Sequence, residues 1–397
     1  MLKEALTLLK EIVSQRDISF LVFIISLFLL PLSINLSTFT LIVALFLKVI
    51  QVLLKRNKLY VSKTLKNAAI VGLLFFAYII INSISQTGFN ITFKSFEKQY
   101  MHFAIFFLMP MLLRSKRENK LLIYAFFVGT ILAVVYVFIF VVINNMTFNK
   151  YAFADILDIH HTYLSMYLLA FINYCMVLIM GKKNNVPKSI KLILAIVVLL
   201  SFGVMFFLNS KAGMILFLLL FIIHSFPDIS KKNVIGYVIA LILILSVVSF
   251  FNNKIDINYK KALDFRLQVW EMSFEVFSEN SFFGDLSLSE KDILNYKHYV
   301  NGKYYFLDSD LNSHNQYLSI LMKFGFFGFV ILLLYGINIF RKLAFNNKTR
   351  EIREFLGLLT VVLLICYIEN IIDRHHGIVF LTFFYNYYLV AIDNAES

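Results

Sequence analysis

The chain has two cysteines, four prolines, fourteen glycines and one tryptophan in 397 residues, and only 24 acidic residues against 37 lysines and arginines. Each shortage excludes something. Cys175 and Cys366 both lie inside apolar runs, so they read as packing residues, and neither a disulfide framework nor redox chemistry is expected. Proline is confined to positions 31, 110, 187 and 227. No Pro-rich linker, repeat or low-complexity tract divides the chain, and one integral domain over residues 1–397 is the simplest organisation. There is no G-x-x-x-x-G-K-[ST], G-x-G-x-x-G or G-x-S-x-G, which leaves nucleotide-driven chemistry and serine hydrolysis without support.

What the chain has in excess is apolar surface. With 60% hydrophobic residues, 44 of them Phe, and a mean hydropathy of +0.78, it lies far outside soluble globular composition and reads as an all-α, polytopic membrane protein. A helical span needs about 20 mainly apolar residues, and about twelve segments qualify. They are 18–34, 36–54, 68–87, 100–113, 121–143, 161–180, 190–208, 213–227, 234–251, 315–340, 355–373 and 377–392. Lys and Arg cluster in every second loop, at residues 55–66, 114–120, 182–191, 231–232 and 341–353. The positive-inside rule then assigns those loops and both termini to the cytoplasm. The formal net charge of +13 thus reflects topology and the pull of anionic membrane lipids, and no nucleic-acid partner is expected. The first residues, MLKEALTLLKEIVSQRD, are too polar for a cleavable signal and read as a cytoplasmic or interfacial helix.

One connection breaks the pattern. Residues 252–313 are too long and too polar for a mere linker, and the topology places them outside the cytoplasm. Phe265, Val269, Trp270, Phe274 and Phe277 recur there at helical spacing, which predicts an amphipathic helix lying on the membrane surface. The loop ends at Asn312, Ser313 and His314. The same topology gathers the unusual polar residues on one face: His160 and His161, Ser210 and Lys211, Arg266, His314, then Glu369, Asp373, Arg374, His375 and His376. Ionisable groups near or inside a bilayer are costly and are retained for function or for pairing. Plainer roles stay open to each. Lys211 could snorkel to headgroups. Arg266 and Trp270, one turn apart, could be a surface cation and an interfacial anchor. His160 and His161 could cap a span, and Glu369, Asp373 and Arg374 could form an internal ion pair. Asp308-Ser309-Asp310 has the D-x-D form that holds a metal and a nucleotide sugar, but no nucleotide-sugar supply exists outside the cytoplasm. The adjacent histidine pairs lack the spacing of a preformed zinc site. No metal or other cofactor is expected.

The segment from His314 resembles the hallmark of the O-antigen ligase and O-antigen polymerase superfamily, bacterial membrane glycosyltransferases that use glycans linked to undecaprenyl diphosphate. The pattern is His-Asn-x-Tyr/Phe-Leu-x-x-Leu-x-x-x-Gly-x-x-Gly. It is met by His314, Asn315, Tyr317, Leu318, Leu321, Gly325 and Gly328. Phe265-Arg266 with Trp270, then Phe283-Gly284, is similar to an Arg-x-x-x-Trp element of that family. His160-His161-Thr162-Tyr163 resembles its His-Thr-Tyr entry into a span, and Glu369-Asn370 through Arg374 and Gly377 its penultimate helix. The likeness covers about residues 155–392. One departure is Ser210-Lys211-Ala212-Gly213, where the family usually carries Ser-Arg-Gly; Lys brings a point charge to a phosphate but not the fork of Arg.

The resemblance implies a multi-pass protein of the bacterial inner membrane with its active site facing the periplasm and 252–313 as a periplasmic loop. The implied reaction moves an O-antigen glycan from undecaprenyl diphosphate to a hydroxyl on the lipid A-core, without metal and with inversion. An O-antigen or exopolysaccharide polymerase, joining lipid-linked repeats, is the alternative acceptor choice; a transporter or flippase of lipid-linked sugars is a further one. The residues expected to act are His314 as base, with Arg266 and Lys211 on the departing diphosphate. His161, Tyr163, Asn315, Trp270, Glu369 and Arg374 are expected to bind substrate. Tyr296, Tyr299, Tyr304 and Tyr305 read equally as a sugar-stacking cleft or as an interfacial aromatic belt.

Overall fold

The computed structural model describes residues 7–8, 10–13, 17–54, 62–88, 93–181, 186–225, 257–309, 311–345 and 350–393. Among these residues there is no strand. The helices are α1 (Ile18–Leu29), α2 (Ile34–Leu53), α3 (Lys63–Thr87), α4 (Phe93–Tyr100), α5 (Ile105–Leu112), α6 (Lys116–Ile143), α7 (Lys150–Leu157), α8 (His161–Met180), α9 (Lys188–Phe207) and α10 (Lys211–Ser225). There follow α11 (Ile257–Glu279), α12 (Glu290–Val300), α13 (Gln316–Phe345), α14 (Arg350–Cys366) and α15 (His375–Asp393), with 3-10 turns at Met101–Ala104 and Tyr304–Ser309.

Local chemistry sets the starts. Side-chain oxygens of Asp17, Ser33, Ser62, Asn149 and Ser289 accept the orphan N–H groups that open α1, α2, α3, α7 and α12. Ser115 and Glu118 close a reciprocal capping box on α6.

Six described helices are long and apolar enough to cross a membrane: α2, α3, α6, α8, α9 and the Gln316–Ile337 part of α13; α1 and α10 are apolar but shorter. The expected span 234–251 lies outside the described residues. Two expectations are redrawn. The stretch 100–113 is the end of α4, a 3-10 turn and the short α5. The stretch 355–373 stops being helical at Cys366, so Glu369 and Asp373 stand on an irregular turn between α14 and α15.

α8 and α15 form the middle of the bundle. In α8, 83% of the apolar window is buried inside the protein, against 17% in α9, whose Leu192, Leu199 and Leu200 face outward. Aromatic edges join the centre: Phe126 of α6 meets Tyr167 of α8 at 5.0 Å and Phe384 of α15 at 5.4 Å, both near-perpendicular. At one end of the bundle Asp17, with no exposed surface, takes Arg114 and, at 3.8 Å, Lys48 as ion partners. Burial pushes its carboxyl up, but the Ser19 hydroxyl, Arg114 and Lys48 outweigh that and hold it below its ordinary range.

The polar segment before α13 folds onto the opposite end. α11 does not simply rest its aromatic stripe on the membrane surface: Val269, Met272 and Val276 are buried with Ile293, Leu294, Phe306 and Met322 in a small separate core, while Phe274 points outward. Residues 281–286 then dock on a break in α13. Gly325 adopts φ 61 and ψ −168 inside that helix. The backbone groups thus freed are taken up by the loop, Phe326 N–H donating to Ser281 O at 2.8 Å, Phe327 N–H to Phe282 O at 3.1 Å and Asp285 N–H to Met322 O at 2.8 Å. From α3, Tyr78 donates to Phe324 O at 2.7 Å, and Asn82 to Phe283 O at 2.7 Å.

Candidate active site

The turn 312–315 carries His314 at the junction of the polar segment and α13. His314 has a left-handed backbone, φ 47, a conformation that costs an L-residue of this kind roughly 1–2 kcal/mol. Contacts on all sides sustain it. Asn312 Oδ1 accepts the His314 N–H at 3.2 Å. Asn315 Oδ1 accepts from Tyr317 N–H and Leu318 N–H, opening α13. Trp270 Nε1 donates to Ser313 O at 2.9 Å, which ties α11 to the turn. Asn370 Oδ1 accepts both Asn315 N–H at 2.9 Å and Ser313 Oγ–H at 3.2 Å.

The turn 367–374 is fixed as closely. Tyr163, 2% exposed, donates from α8 to Asn370 O at 2.7 Å, and Ile372 N–H donates to Gln316 Oε1 at 2.6 Å. The two turns therefore face each other, and His314 Nδ1 lies 3.5 Å from Glu369 Oε1. His160, just before α8, approaches the other carboxylate oxygen, Nδ1 to Oε2 at 3.9 Å. Burial pushes the Glu369 carboxyl up, yet the contact with His314 and the charges of His314, His160 and Arg374 outweigh it and hold it below its ordinary value. Glu369 is thus a buried carboxylate between two half-exposed imidazoles. At 3.5 Å His314 Nδ1 is in ion-pair range of Glu369 without a formed hydrogen bond; a carboxylate placed on this side of the ring favours the tautomer with its proton on Nδ1.

The remaining candidates take varied places. His161 opens α8 with its ring 4.1 Å from that of His160. Arg266 is partly buried on α11, one turn before Trp270 and so on the same side of that helix. Lys211 is exposed as the first residue of α10, after the left-handed Asn209; Ser210 beside it is buried and accepts Gly213 N–H at 3.2 Å. Arg374 is exposed. Tyr163, Asn315 and Trp270, expected to bind substrate, spend their polar groups on holding the turns. Asp373, grouped with Arg374 as an internal ion pair, has Lys323 as its partner at 3.1 Å. The tyrosines 296, 299, 304 and 305 are 59–67% exposed on α12 and the following turn. Asp310 of the D-x-D lies outside the described residues.

Beneath His314 lies a network that sequence reasoning missed. Glu290, at the start of α12 and 7% exposed, accepts Ser313 N–H at 2.8 Å and the Asn370 amide at 3.0 Å on both oxygens. Ser319 Oγ stands 2.5 Å from Glu290 Oε2 and 2.9 Å from Asp373 Oδ2. The Lys323 ammonium that pairs with Asp373 also sits over the Tyr100, Phe103 and Phe324 rings at 5.3–5.8 Å. Lys323 was findable, as the single cation in the apolar Gln316–Ile337 part of α13.

Alongside, an apolar cavity of about 240 Å³ lies between α13, α14 and α15, and its lining includes Gln316, Tyr317 and Ile372. These stand two and three residues past His314 and three past Glu369.

The family model described as O-antigen ligase matches residues 195–333, a stretch that includes Lys211, Arg266, Glu290, His314, Gly325 and Lys323. No curated protein matches the chain.

Proposed function

We propose, from the premise that the 195–333 match supports the O-antigen ligase superfamily for this membrane protein, that the chain transfers a glycan from undecaprenyl diphosphate to a lipid A-core hydroxyl at the periplasmic face of the bacterial inner membrane. The observation that carries this reading is the 3.5 Å approach of His314 Nδ1 to the buried Glu369 carboxylate. With Nδ1 facing Glu369, Nε2 of His314 takes the proton of the acceptor hydroxyl as its oxygen attacks the anomeric carbon. The bond from that carbon to the diphosphate breaks, and the configuration inverts. The imidazolium so formed is stabilised by Glu369, as a carboxylate stabilises histidine in hydrolytic triads.

The leaving diphosphate gains negative charge. Arg266 and Lys211 are the cations assigned to it, worth several kcal/mol where water is scarce, and they supply the neutralisation that a metal would otherwise bring. His161 and Arg374 flank the glycan or its diphosphate. The apolar cavity lined in part by Gln316, Tyr317 and Ile372 gives the polyprenyl chain of the donor a seat close in sequence to His314 and Glu369, which supports a lipid-linked rather than a soluble donor.

The glycolipid profile of a strain lacking the chain tests this reading. Bare core with accumulated long lipid-linked polymer is the expected result. Core bearing a single repeat would assign the chain to repeat polymerisation instead, and lipid-linked units trapped on the cytoplasmic side would assign it to translocation and overturn the proposal.

A further inference from the structure

We propose that Glu290 is a neutral carboxylic acid in the folded protein and a positioning residue for His314. Too few hydrogens lie between Glu290 and Asp373 for both to be carboxylates. Ser319 has one hydroxyl hydrogen, yet its oxygen stands 2.5 Å from Glu290 Oε2 and 2.9 Å from Asp373 Oδ2. Were both carboxyls ionised, one of those contacts would set lone pair against lone pair. The Asn370 amide does not relieve this, because its two hydrogens already serve Glu290 Oε1, Glu290 Oε2 and Asp373 Oδ2. One extra proton closes the count: Glu290 Oε2–H donates to Ser319 Oγ, and Ser319 donates on to Asp373.

Charge decides which carboxyl keeps the proton. Lys323 Nζ lies 3.1 Å from Asp373 Oδ1, so Asp373 has its own cation, whereas among the described residues no cation is paired with Glu290. The charges that act on Glu290 are Asp373 from the 367–374 turn and Lys323 from α13, and Asp373 is drawn further toward the charged form by His102 from the 3-10 turn after α4. Glu275 and Glu279 of α11 are taken up by Lys297 at 2.8 and 2.5 Å, near the far end of Glu290's helix. Burial first, then the Asp373 charge, pushes Glu290 above its ordinary value against the pull of Lys323 and Ser319.

The neutral acid holds the turn that presents His314. Its carbonyl-side oxygen, Oε1, accepts the Ser313 N–H at 2.8 Å, one residue before the left-handed His314. It also accepts from Asn370 at 3.0 Å, and Asn370 Oδ1 in turn binds the chain on both sides of His314. An ionised Glu290 would repel Ser319 or Asp373 and loosen this arrangement. The positioning part rests on the glycan-transfer reading above; the protonation part does not.

The test uses the full chain in a lipid bilayer. Infrared difference spectra between the wild type and E290Q at neutral pH should show the carbonyl stretch of a protonated carboxylic acid in the wild type that disappears in E290Q. A band that survives E290Q and vanishes in D373N, or no such band in the wild type, overturns the protonation. In the deletion strain, E290Q should restore the glycolipid profile, since Gln offers Ser319 an N–H where the acid offered an O–H. E290A should lose transfer about 10–100-fold at matched membrane levels, because it leaves the buried Ser313 N–H and Asn370 amide without their acceptor. E290Q failing as badly as E290A overturns the positioning role. A wild type that restores nothing sinks the transfer reading alone, with the infrared result still deciding the proton.

Discussion

At the residue scale, His314 is placed by neighbours that give up their own polar groups to do so. Asn315, Asn370, Trp270 and Tyr163 hold two turns against each other so that an imidazole with an unfavourable backbone meets a buried carboxylate. Replacing Asn370 by Ala should therefore lower transfer about 10–100-fold, as Asn315 N–H and Glu290 lose their partner, with little change in membrane insertion, measured as glycolipid restored per inserted protein. The Glu369 carboxyl is held below its ordinary 4.5. Its contribution to stability is thus present above that value and is lost as the pH falls through the lower, folded value. The acid limb of a melting-temperature profile in detergent should flatten in E369Q, and an unchanged limb would remove Glu369 from the pairing. His314 itself was legible because its spacing to Asn315, Tyr317, Gly325 and Gly328 matches a pattern. Glu290 was not, since Ser289-Glu290-Lys291-Asp292 reads as a solvent-exposed helix start, where an acid needs no further reason.

At the element scale, the broken α13 explains two glycines that sequence spacing could only flag. A Cβ on Gly284 would stand 2.5 Å from Gly325 N and Lys323 O, and both residues have positive φ. The loop and the break are one interlocked feature. Gly284→Ala or Gly325→Ala should each cost about 2–4 kcal/mol through backbone strain and overlap, read as a fall in melting temperature of the purified protein. The break was invisible in the sequence because the apolar run continues through Gly325, and the bonds that satisfy the opened helix come from residues some 40 positions earlier. The end of α14 was misjudged for a related reason: Ile371 and Ile372 extend the apolar run past Cys366, although they belong to the turn that carries Glu369.

At the scale of the whole molecule, the charges separate into two ends with an aromatic and aliphatic middle. One end is closed by Asp17 with Arg114 and Lys48, and the other carries His160, His161, His314, Glu369 and the Glu290 network. Removing one member of a buried ion cluster leaves its partners uncompensated, so Asp17→Asn should cost about 3–5 kcal/mol. Because that cluster lies at the opposite end, the molecules that remain folded should transfer at the wild-type rate; a loss per folded molecule would mean the two ends are coupled. All-helical class and membrane insertion were readable from composition and periodicity. The gathering of the polar residues of α8, α11, the His314 turn and the α14–α15 turn on one face was readable from the charge topology; the contacts that hold them were not, since these are hydrogen bonds between segments separated by about 40 to 200 residues.

Whether His314 carries the transfer is decided in membranes of the deletion strain supplied with either the wild type or H314A. Membrane insertion is matched, and movement of glycan from its lipid diphosphate to the acceptor is followed. The account predicts transfer by the wild type and none by H314A; near-normal transfer by inserted H314A would contradict it.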